Sequence, residues 1–195
     1  MKRVRTENIN TSVWWSKNWE DTPAWKMGTD ILFDRLETVA ERIRPGDLVL
    51  DVGGGRGEIA AWLEARAGCF ITVADHAPSA IAECKKRGIT GFVCDYLNLA
   101  NYFVPLFDVV FAGELLEHTE CPAELIAQMA AVCKPGGWLI VTAPNEANYA
   151  NDPTHMWEFE VADVEELLGK YGKPESKIVG TQMVVSCRKA VRCDG

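Results

Sequence analysis

The chain has 195 residues, of which 48% are hydrophobic and 25% are charged, and it carries a formal charge of −8. These values are ordinary for one globular domain that folds around its own core, and they disfavour a protein whose whole surface binds nucleic acid. Apolar runs fall short of the roughly 20 residues of a membrane helix, no signal segment is visible, and seven cysteines form no C-x-x-C pair, so we expect a cytoplasmic protein with free thiols.

Four tryptophans, at positions 14, 15, 19 and 25, mark the N-terminal segment. Tryptophan is often buried, so some of them are expected to pack on the core, while others are expected to form an aromatic lid over a ligand. The pattern does not assign individual tryptophans to either role. Residues 1–27 are interpreted as a cap or lid segment, and residues 28–190 as a single domain.

Apolar strands and helical patterns alternate along the rest of the chain. Leu32, Leu36, Val39 and Ile43 form one helical face, and Pro45-Gly46 ends that helix. Strands are predicted over 47–52, 70–75, 91–94, 107–112 and 137–143, and helices over 57–66, 78–87, 122–133 and near 161–171. Two further strands are predicted at 178–179 and 183–187. The alternation indicates an α/β fold with a parallel sheet.

The first of these strands runs into the sequence D-V-G-G-G-R-G at residues 51–57. Glycines here let the backbone turn sharply, and the following helix points its free N–H groups at a ligand. The spacing departs from the G-x-G-x-x-G dinucleotide fingerprint, and the Lys-Ser/Thr ending of a phosphate loop is absent. The motif resembles the first motif of class I S-adenosylmethionine-dependent methyltransferases, and the resemblance extends over residues 28–188.

The resemblance implies a Rossmann-like three-layer sandwich, in which a mostly parallel seven-stranded sheet carries an antiparallel C-terminal strand. It also implies S-adenosylmethionine as cofactor, with Asp51 near its cationic end, Asp75 on the ribose hydroxyls and Asp95 on the adenine amino group. The cofactor-binding residues expected on this basis are Asp51, Gly53, Gly54, Gly55, Asp75, His76, Asp95, Tyr96 and Gly113. Carboxylates at strand ends also order loops, and the position of Asp75 suits NAD equally well, so both alternatives stay open.

The sequence indicates the methyl acceptor less clearly than the cofactor. The Asn/Asp-Pro-Pro-Tyr/Phe motif of enzymes that methylate the amino groups of bases is absent, which disfavours that class. Candidate catalytic residues are Glu114, His118 and His155. The sequence also resembles the small-RNA 3′-terminal 2′-O-methyltransferases, whose metal ligands would fall on Glu114, Glu117, His118 and His155. Such a cluster also caps helices in relatives without a metal, so the sequence does not assign one.

The sequence therefore predicts methyl transfer by in-line displacement to a small-molecule oxygen or nitrogen acceptor that it does not identify. Three alternatives are retained. They are the metal-dependent RNA enzyme, a non-catalytic module that binds S-adenosylmethionine and a partner, and a nicotinamide-dependent oxidoreductase. The glycine spacing disfavours the oxidoreductase, and the acidic charge disfavours the RNA enzyme.

Overall fold

The computed structural model describes residues 1–21, 30–145 and 152–191. Its strands are β1 (Lys2–Arg3), β2 (Leu48–Val52), β3 (Phe70–Asp75), β4 (Thr90–Val93), β5 (Phe107–Gly113), β6 (Cys133–Pro144), β7 (Trp157–Glu158), β8 (Pro174–Val179) and β9 (Gln182–Arg188). Its helices are α1 (Ser12–Asp21), α2 (Asp30–Ala40), α3 (Glu58–Ala67), α4 (Pro78–Lys86), α5 (Leu99–Tyr102), α6 (Pro122–Val132) and α7 (Val161–Gly169). Trp25, Cys193 and the side chain of Leu32 lie outside the described residues.

One sheet contains seven strands in the order β4-β3-β2-β5-β6-β9-β8. Strands β2 to β6 run parallel, whereas β9 is antiparallel to both β6 and β8. This confirms the expected mostly parallel sheet with an antiparallel C-terminal strand. The chain order reverses between β2 and β5, and a crevice at the carboxyl ends of the strands is the usual ligand site in such a sheet.

Helices cover both faces of this sheet and give the expected three layers. Helices α5, α6 and α7 cover one face, where Leu125 packs in the same cluster as Leu50. Helices α2, α3 and α4 cover the other face, where Leu63 packs with Val49. Successive side chains of a strand point to opposite faces, so the neighbours Val49 and Leu50 enter different layers. Among the described helices, none combines the length and apolar character needed to span a bilayer.

The start of β6 differs from the sequence prediction. A helix was expected to reach residue 133 and the next strand to begin at residue 137, but Cys133 already pairs with Phe107 at the beginning of β6. The register then shifts between Phe107 and Val109, so residues 134–137 form the irregular beginning of β6 instead of a separate turn. The last predicted helix is also shorter than expected, because α7 ends at Gly169.

The N-terminal segment contains structure that the sequence did not predict. Strand β1 pairs antiparallel with β7, with Lys2 opposite Glu158 and Arg3 opposite Trp157. Helix α1 follows, packs against α4 and has no fully buried residue. The N-terminal segment therefore contacts helix α4 and strand β7, which are far apart in the sequence.

Candidate active site

The loop after β2 brings bare backbone close to other parts of the molecule. Gly53 and Gly55 have φ angles of +71° and +55°, in the left-handed region that glycine adopts without strain. A Cβ atom at Gly53 would lie 2.9 Å from carbons of Leu115, and one at Gly55 would lie 2.8 Å from the ring of Trp19. Another residue at either position would be both strained and crowded.

A cavity of about 340 Å³ opens beside this loop, at the carboxyl ends of β2, β3 and β5. Most residues singled out from the sequence line it, namely Asp51, Gly53, Gly54, Gly55, Asp75, His76, Tyr96, Gly113, Glu114 and His118. Asp95 is not among the lining residues. It is exposed, and its Oδ1 accepts the N–H of Leu97 at 2.9 Å at the start of a short 3-10 helix. Its contact with adenine stays a prediction.

Asp75 holds the glycine loop in place. Its Oδ2 accepts the N–H of Gly55 at 3.0 Å, and its Oδ1 accepts the N–H of Ala77 at 2.8 Å. Burial raises the pKa of Asp75, while the two backbone donors act in the opposite direction. Each carboxylate oxygen accepts more than one hydrogen bond, so this bracing role is compatible with the predicted ribose contact.

Asp51 is the least satisfied acid at the cavity. Only 2% of the residue is exposed, and its Oδ2 has no hydrogen-bond partner among the described residues. Burial, with a further contribution from the charge of Asp75, raises the pKa of Asp51 to about 7. A buried carboxylate without a partner is costly, so the site favours a ligand that brings positive charge or hydrogen-bond donors.

Glu114, a candidate catalytic residue, is held in an ion pair. Its Oε1 lies 2.7 Å from Nη1 of Arg35, and Thr142 donates its hydroxyl to the same oxygen at 3.2 Å. With its amide nitrogen turned towards Glu114, Gln182 donates to both carboxylate oxygens at 2.9 and 3.0 Å. Glu114 has a φ of +52°, which is rare for a residue other than glycine. The surrounding bonds stabilise that strained backbone and occupy the carboxylate.

His118 also lines the cavity, and 11% of its side chain is exposed. Its Nδ1 lies 3.1 Å from the carbonyl oxygen of Thr154. A carbonyl only accepts, so Nδ1 carries the proton and Nε2 keeps the lone pair. Burial lowers the pKa of His118 to about 4, and its imidazole is therefore neutral near pH 7.

Three of the four residues of the suggested metal set come together. Glu117, His118 and His155 each place one ligand atom within 4.8 Å of the others. The rings of the two histidines are 4.9 Å apart, and Oε2 of the buried Glu117 has no hydrogen-bond partner in the described ranges. Glu114 is not part of this cluster, because its carboxylate binds Arg35.

Helix α1 crosses the cavity from the glycine loop to His118. The guanidinium of Arg56 lies over the ring of Trp19 at 5.1 Å and donates to the Trp19 carbonyl at 3.2 Å. At the other end, the ring of Trp15 lies edge-on to His118, with centroids 5.4 Å apart. Both tryptophans line the cavity, whereas Trp14 packs against Trp15. Trp15 and Trp19 thus adjoin the cavity, and their role as a lid stays a prediction.

Sequence reasoning missed Arg35 and Arg56 at this site. Arg35 is 3% exposed and Arg56 is 5% exposed, and both line the cavity. The arginine within the glycine motif was visible as a departure from known loops, but nothing local indicated that it would hold α1. Arg35 lies on a helix from which the sequence analysis took only the apolar residues, as a face that packs on the core. Its Nε has no hydrogen-bond partner among the described residues.

Comparisons with known proteins agree with this geometry. The family model described as a methyltransferase domain matches residues 25–171. The ubiquinone biosynthesis O-methyltransferase of Xylella fastidiosa is 34% identical over 143 residues, which cover 69% of this chain and 56% of that protein. The protein of the same name from Hahella chejuensis is 33% identical over 139 residues, which cover 68% of this chain and 56% of that protein. The chain therefore spans little more than half the length of these curated relatives.

Solved structures give the same architecture. A methyltransferase in complex with the Haloferax volcanii Trm112 methyltransferase activator superposes with a TM-score of 0.74 at 14% identity, covering 94% of this chain and 97% of that chain. The 1,6-didemethyltoxoflavin-N1-methyltransferase of Burkholderia thailandensis, solved with 1,6-didemethyltoxoflavin and S-adenosylhomocysteine, gives 0.67 at 19% identity, covering 97% and 94%. At such identities these likenesses bear on the fold alone.

Proposed function

Because the chain belongs to the class I S-adenosylmethionine-dependent methyltransferases, we propose that it transfers a methyl group to a hydroxyl group of a small, uncharged molecule. The observation that carries this proposal is the unpartnered Oδ2 of Asp51 at the wall of the cavity. A ligand with a sulfonium and an ammonium group removes the cost of burying that carboxylate.

The other residues of the cavity fit the same cofactor. The loop at Gly53 and Gly55 offers bare backbone, and Asp75 retains lone pairs for hydroxyl groups. His76 and Tyr96, with ring centroids 6.3 Å apart, provide flat walls for an aromatic base. When bound, S-adenosylmethionine supplies a methyl group that is already electrophilic, so the protein has mainly to align the acceptor with it.

The acceptor side consists of His118, Trp15 and the Arg35–Glu114 pair. An acceptor hydroxyl would give its proton to Nε2 of His118 while its oxygen takes the methyl group and S-adenosylhomocysteine leaves with the electron pair of the broken sulfur–carbon bond. The resulting imidazolium keeps its Nδ1–H bond to the Thr154 carbonyl. Since Glu114 balances the charge of Arg35, this end of the cavity favours an uncharged acceptor over a phosphate or a nucleic acid.

Oxygen is preferred to nitrogen as the accepting atom for two reasons. The curated relatives are named O-methyltransferases. A hydroxyl must also lose a proton during transfer, and the neutral imidazole of His118 in the cavity wall supports a role for this residue as the proton acceptor. A neutral amine needs no base for its attack, and it would leave this feature of the site without a role.

Two measurements test the proposal in sequence. Calorimetry should detect binding of S-adenosylmethionine and S-adenosylhomocysteine to the purified chain. A screen of phenols, alcohols and amines with a labelled methyl donor should then give labelled ethers, and His118→Gln should lower kcat by about 100-fold with the donor affinity unchanged. Failure to bind either compound would contradict the proposal. Binding without turnover on any acceptor would support the non-catalytic module instead.

A divalent metal ion on the acceptor side is a second candidate, favoured by the cluster of Glu117, His118 and His155. Carboxylate and imidazole donors suit Mn²⁺ and related ions, which would lower the pKa of a bound hydroxyl group. Titration with Mn²⁺ under electron paramagnetic resonance tests this. Stoichiometric binding that His155→Gln abolishes would support it, and binding that this change leaves intact would contradict it.

A further inference from the structure

Asn10 joins two backbone segments that flank the imidazole of His118. It lies just before α1 and is 9% exposed. Its side-chain nitrogen donates to the carbonyl of His118 at 3.0 Å and to the carbonyl of Thr154 at 2.8 Å. A side-chain amide has two N–H groups, so both donors of Asn10 are used for this one link.

The Thr154 carbonyl is also the group that orients the His118 ring. It accepts from Nδ1 of His118 at 3.1 Å and from Asn10 at 2.8 Å. If this oxygen moved, the imidazole would lose the partner that keeps the proton on Nδ1. The other tautomer would place a lone pair of Nδ1 against the carbonyl oxygen, which is repulsive.

Further bonds hold the same segment but do not contact the imidazole. Asp152 accepts from the backbone N–H and the hydroxyl of Thr154 at 2.8 and 2.6 Å, and Arg5 donates to the Asp152 carbonyl at 3.0 Å. The N–H of Met156 donates to the carbonyl of Glu117 at 2.7 Å. Asn10 differs from these residues because it fixes the histidine backbone and the orienting carbonyl with one rigid amide.

Asn10 carries a cost that a purely structural link would avoid. Its Oδ1 is buried and has no hydrogen-bond partner in the described part of the chain. A buried group of this kind disfavours folding and is uncommon in native structures. One of its two donors reaches the Thr154 carbonyl, which accepts the Nδ1–H of His118, and the other reaches the carbonyl of His118 itself.

We propose that Asn10 is a positioning residue for His118. By holding the Thr154 carbonyl, it keeps the proton of the neutral imidazole on Nδ1 and leaves Nε2 free to accept the proton of the acceptor hydroxyl. This inference rests on the proposed role of His118 as proton acceptor. It makes the N-terminal segment part of the reaction machinery as well as a cover.

The test is Asn10→Asp, which keeps the shape of the side chain and replaces both donors with a carboxylate oxygen. The chain has three histidines, so ¹⁵N-labelled histidine with His118→Gln as the assignment variant resolves the ring nitrogens of His118. We expect the native protein to show the Nδ1–H form alone and Asn10→Asp to show a mixture. We also expect kcat to fall about tenfold, with the KM for the donor unchanged.

Asn8→Asp is the matched control, because Asn8 supplies an acceptor oxygen to the Asn10 N–H and aspartate supplies one too. It should retain both the tautomer and kcat. If Asn10→Asp does not fold, Asn10→Ser, whose single hydroxyl donor holds one carbonyl at most, gives the same readout. Unchanged ¹⁵N shifts, or changed shifts with an unchanged kcat, would overturn the inference. Failure of the proposed function would be seen separately in the native protein, as absent cofactor binding or as binding without turnover on any acceptor.

Discussion

The indole of Trp19 lies over Gly55 so closely that a Cβ atom on the glycine would sit 2.8 Å from ring carbon Cζ2. The glycine loop and helix α1 therefore share one contact surface. An alanine at Gly55 would be strained at a φ of +55° and would push the ring away. We expect Gly55→Ala to weaken S-adenosylhomocysteine binding by at least about tenfold, as measured by calorimetry.

Gly46→Ala separates strain from crowding in this experiment. Gly46 has a φ of +87°, but no atom of the described residues lies within 4 Å of its Cβ position. The change should lower the free energy of unfolding by about 1 kcal/mol and leave the dissociation constant unaltered. If both variants bound the ligand equally well, the contact with Trp19 would have no part in forming the pocket.

The titration of Asp51 should make stability and cofactor affinity change in opposite directions with pH. Its pKa is raised to about 7 in the folded protein, so the folded state holds a proton there that the unfolded state has released above pH 4. The stability of the ligand-free protein should fall as pH rises from 4 to 7, because the buried carboxylate ionises. Affinity for the cationic cofactor should rise between pH 6 and 8, as measured by calorimetry.

Asp51→Asn should reduce the pH dependence of both stability and cofactor affinity, since the variant has no group to titrate at this position. Urea unfolding at pH 5 and pH 8 isolates the contribution of Asp51 by comparison with the native protein. Asp108→Asn removes a carboxylate that binds Lys134 at 2.7 Å near the opposite end of the sheet, and it should leave the affinity profile unchanged. An affinity profile for Asp51→Asn that matches the native one would contradict this assignment.

Arg35 and Glu114 should show strong coupling in a double-mutant cycle. Removing the charge of Glu114 leaves Arg35 buried without its partner, so Glu114→Gln should destabilise the fold by about 2–4 kcal/mol. Arg35→Met should cost less, because the side chain of Glu114 is 29% exposed. The double variant should be more stable than the sum of the single effects predicts, by at least about 1 kcal/mol. Urea unfolding measures all three, and simple additivity would show that the pair contributes nothing beyond its separate contacts.

The lid interpretation of α1 predicts an effect on ligand release. Trp19→Ala removes the ring that covers Gly55 and the partner of the Arg56 guanidinium. We expect S-adenosylhomocysteine to dissociate about five- to tenfold faster, as measured by stopped-flow fluorescence of the remaining tryptophans. Trp138→Ala is the control, because Trp138 packs against Arg42 and Arg188 away from the cavity. Equal release rates from the two variants would exclude a gating role for α1.

The glycine loop and the alternation of strands and helices follow from local patterns, which is why they were predicted, whereas the antiparallel C-terminal strand was expected only from the family resemblance. Val49 and Leu50 lie in an apolar run, and the glycines stand where the chain needs positive φ angles. Strand ends converge in a parallel sheet, so Asp51 and Asp75 were expected near one another. These inferences need only short stretches of sequence and a general rule about α/β sheets.

The rest of the site depends on partners that are distant in the chain. Glu114 was expected to act in catalysis because its motif was visible, and that role stays a prediction, but its ion pair with Arg35 of α2 has no local signature. The bonds from Asn10 to residues 118 and 154 have no local signature. Whether Asp75 would brace Gly55 or contact a ribose also depends on loop geometry that spacing alone does not define.

The pairing of β1 with β7 has a consequence for the growing polypeptide. Lys2 and Arg3 are synthesised about 155 residues before their partners Glu158 and Trp157, so the two strands can pair only late. The glycine loop and Asp75 can meet much earlier. A nascent chain therefore has the means to join the glycine loop to Asp75 while β1 is still unpaired, and the surroundings of His118 can be completed only after Thr154 has been made.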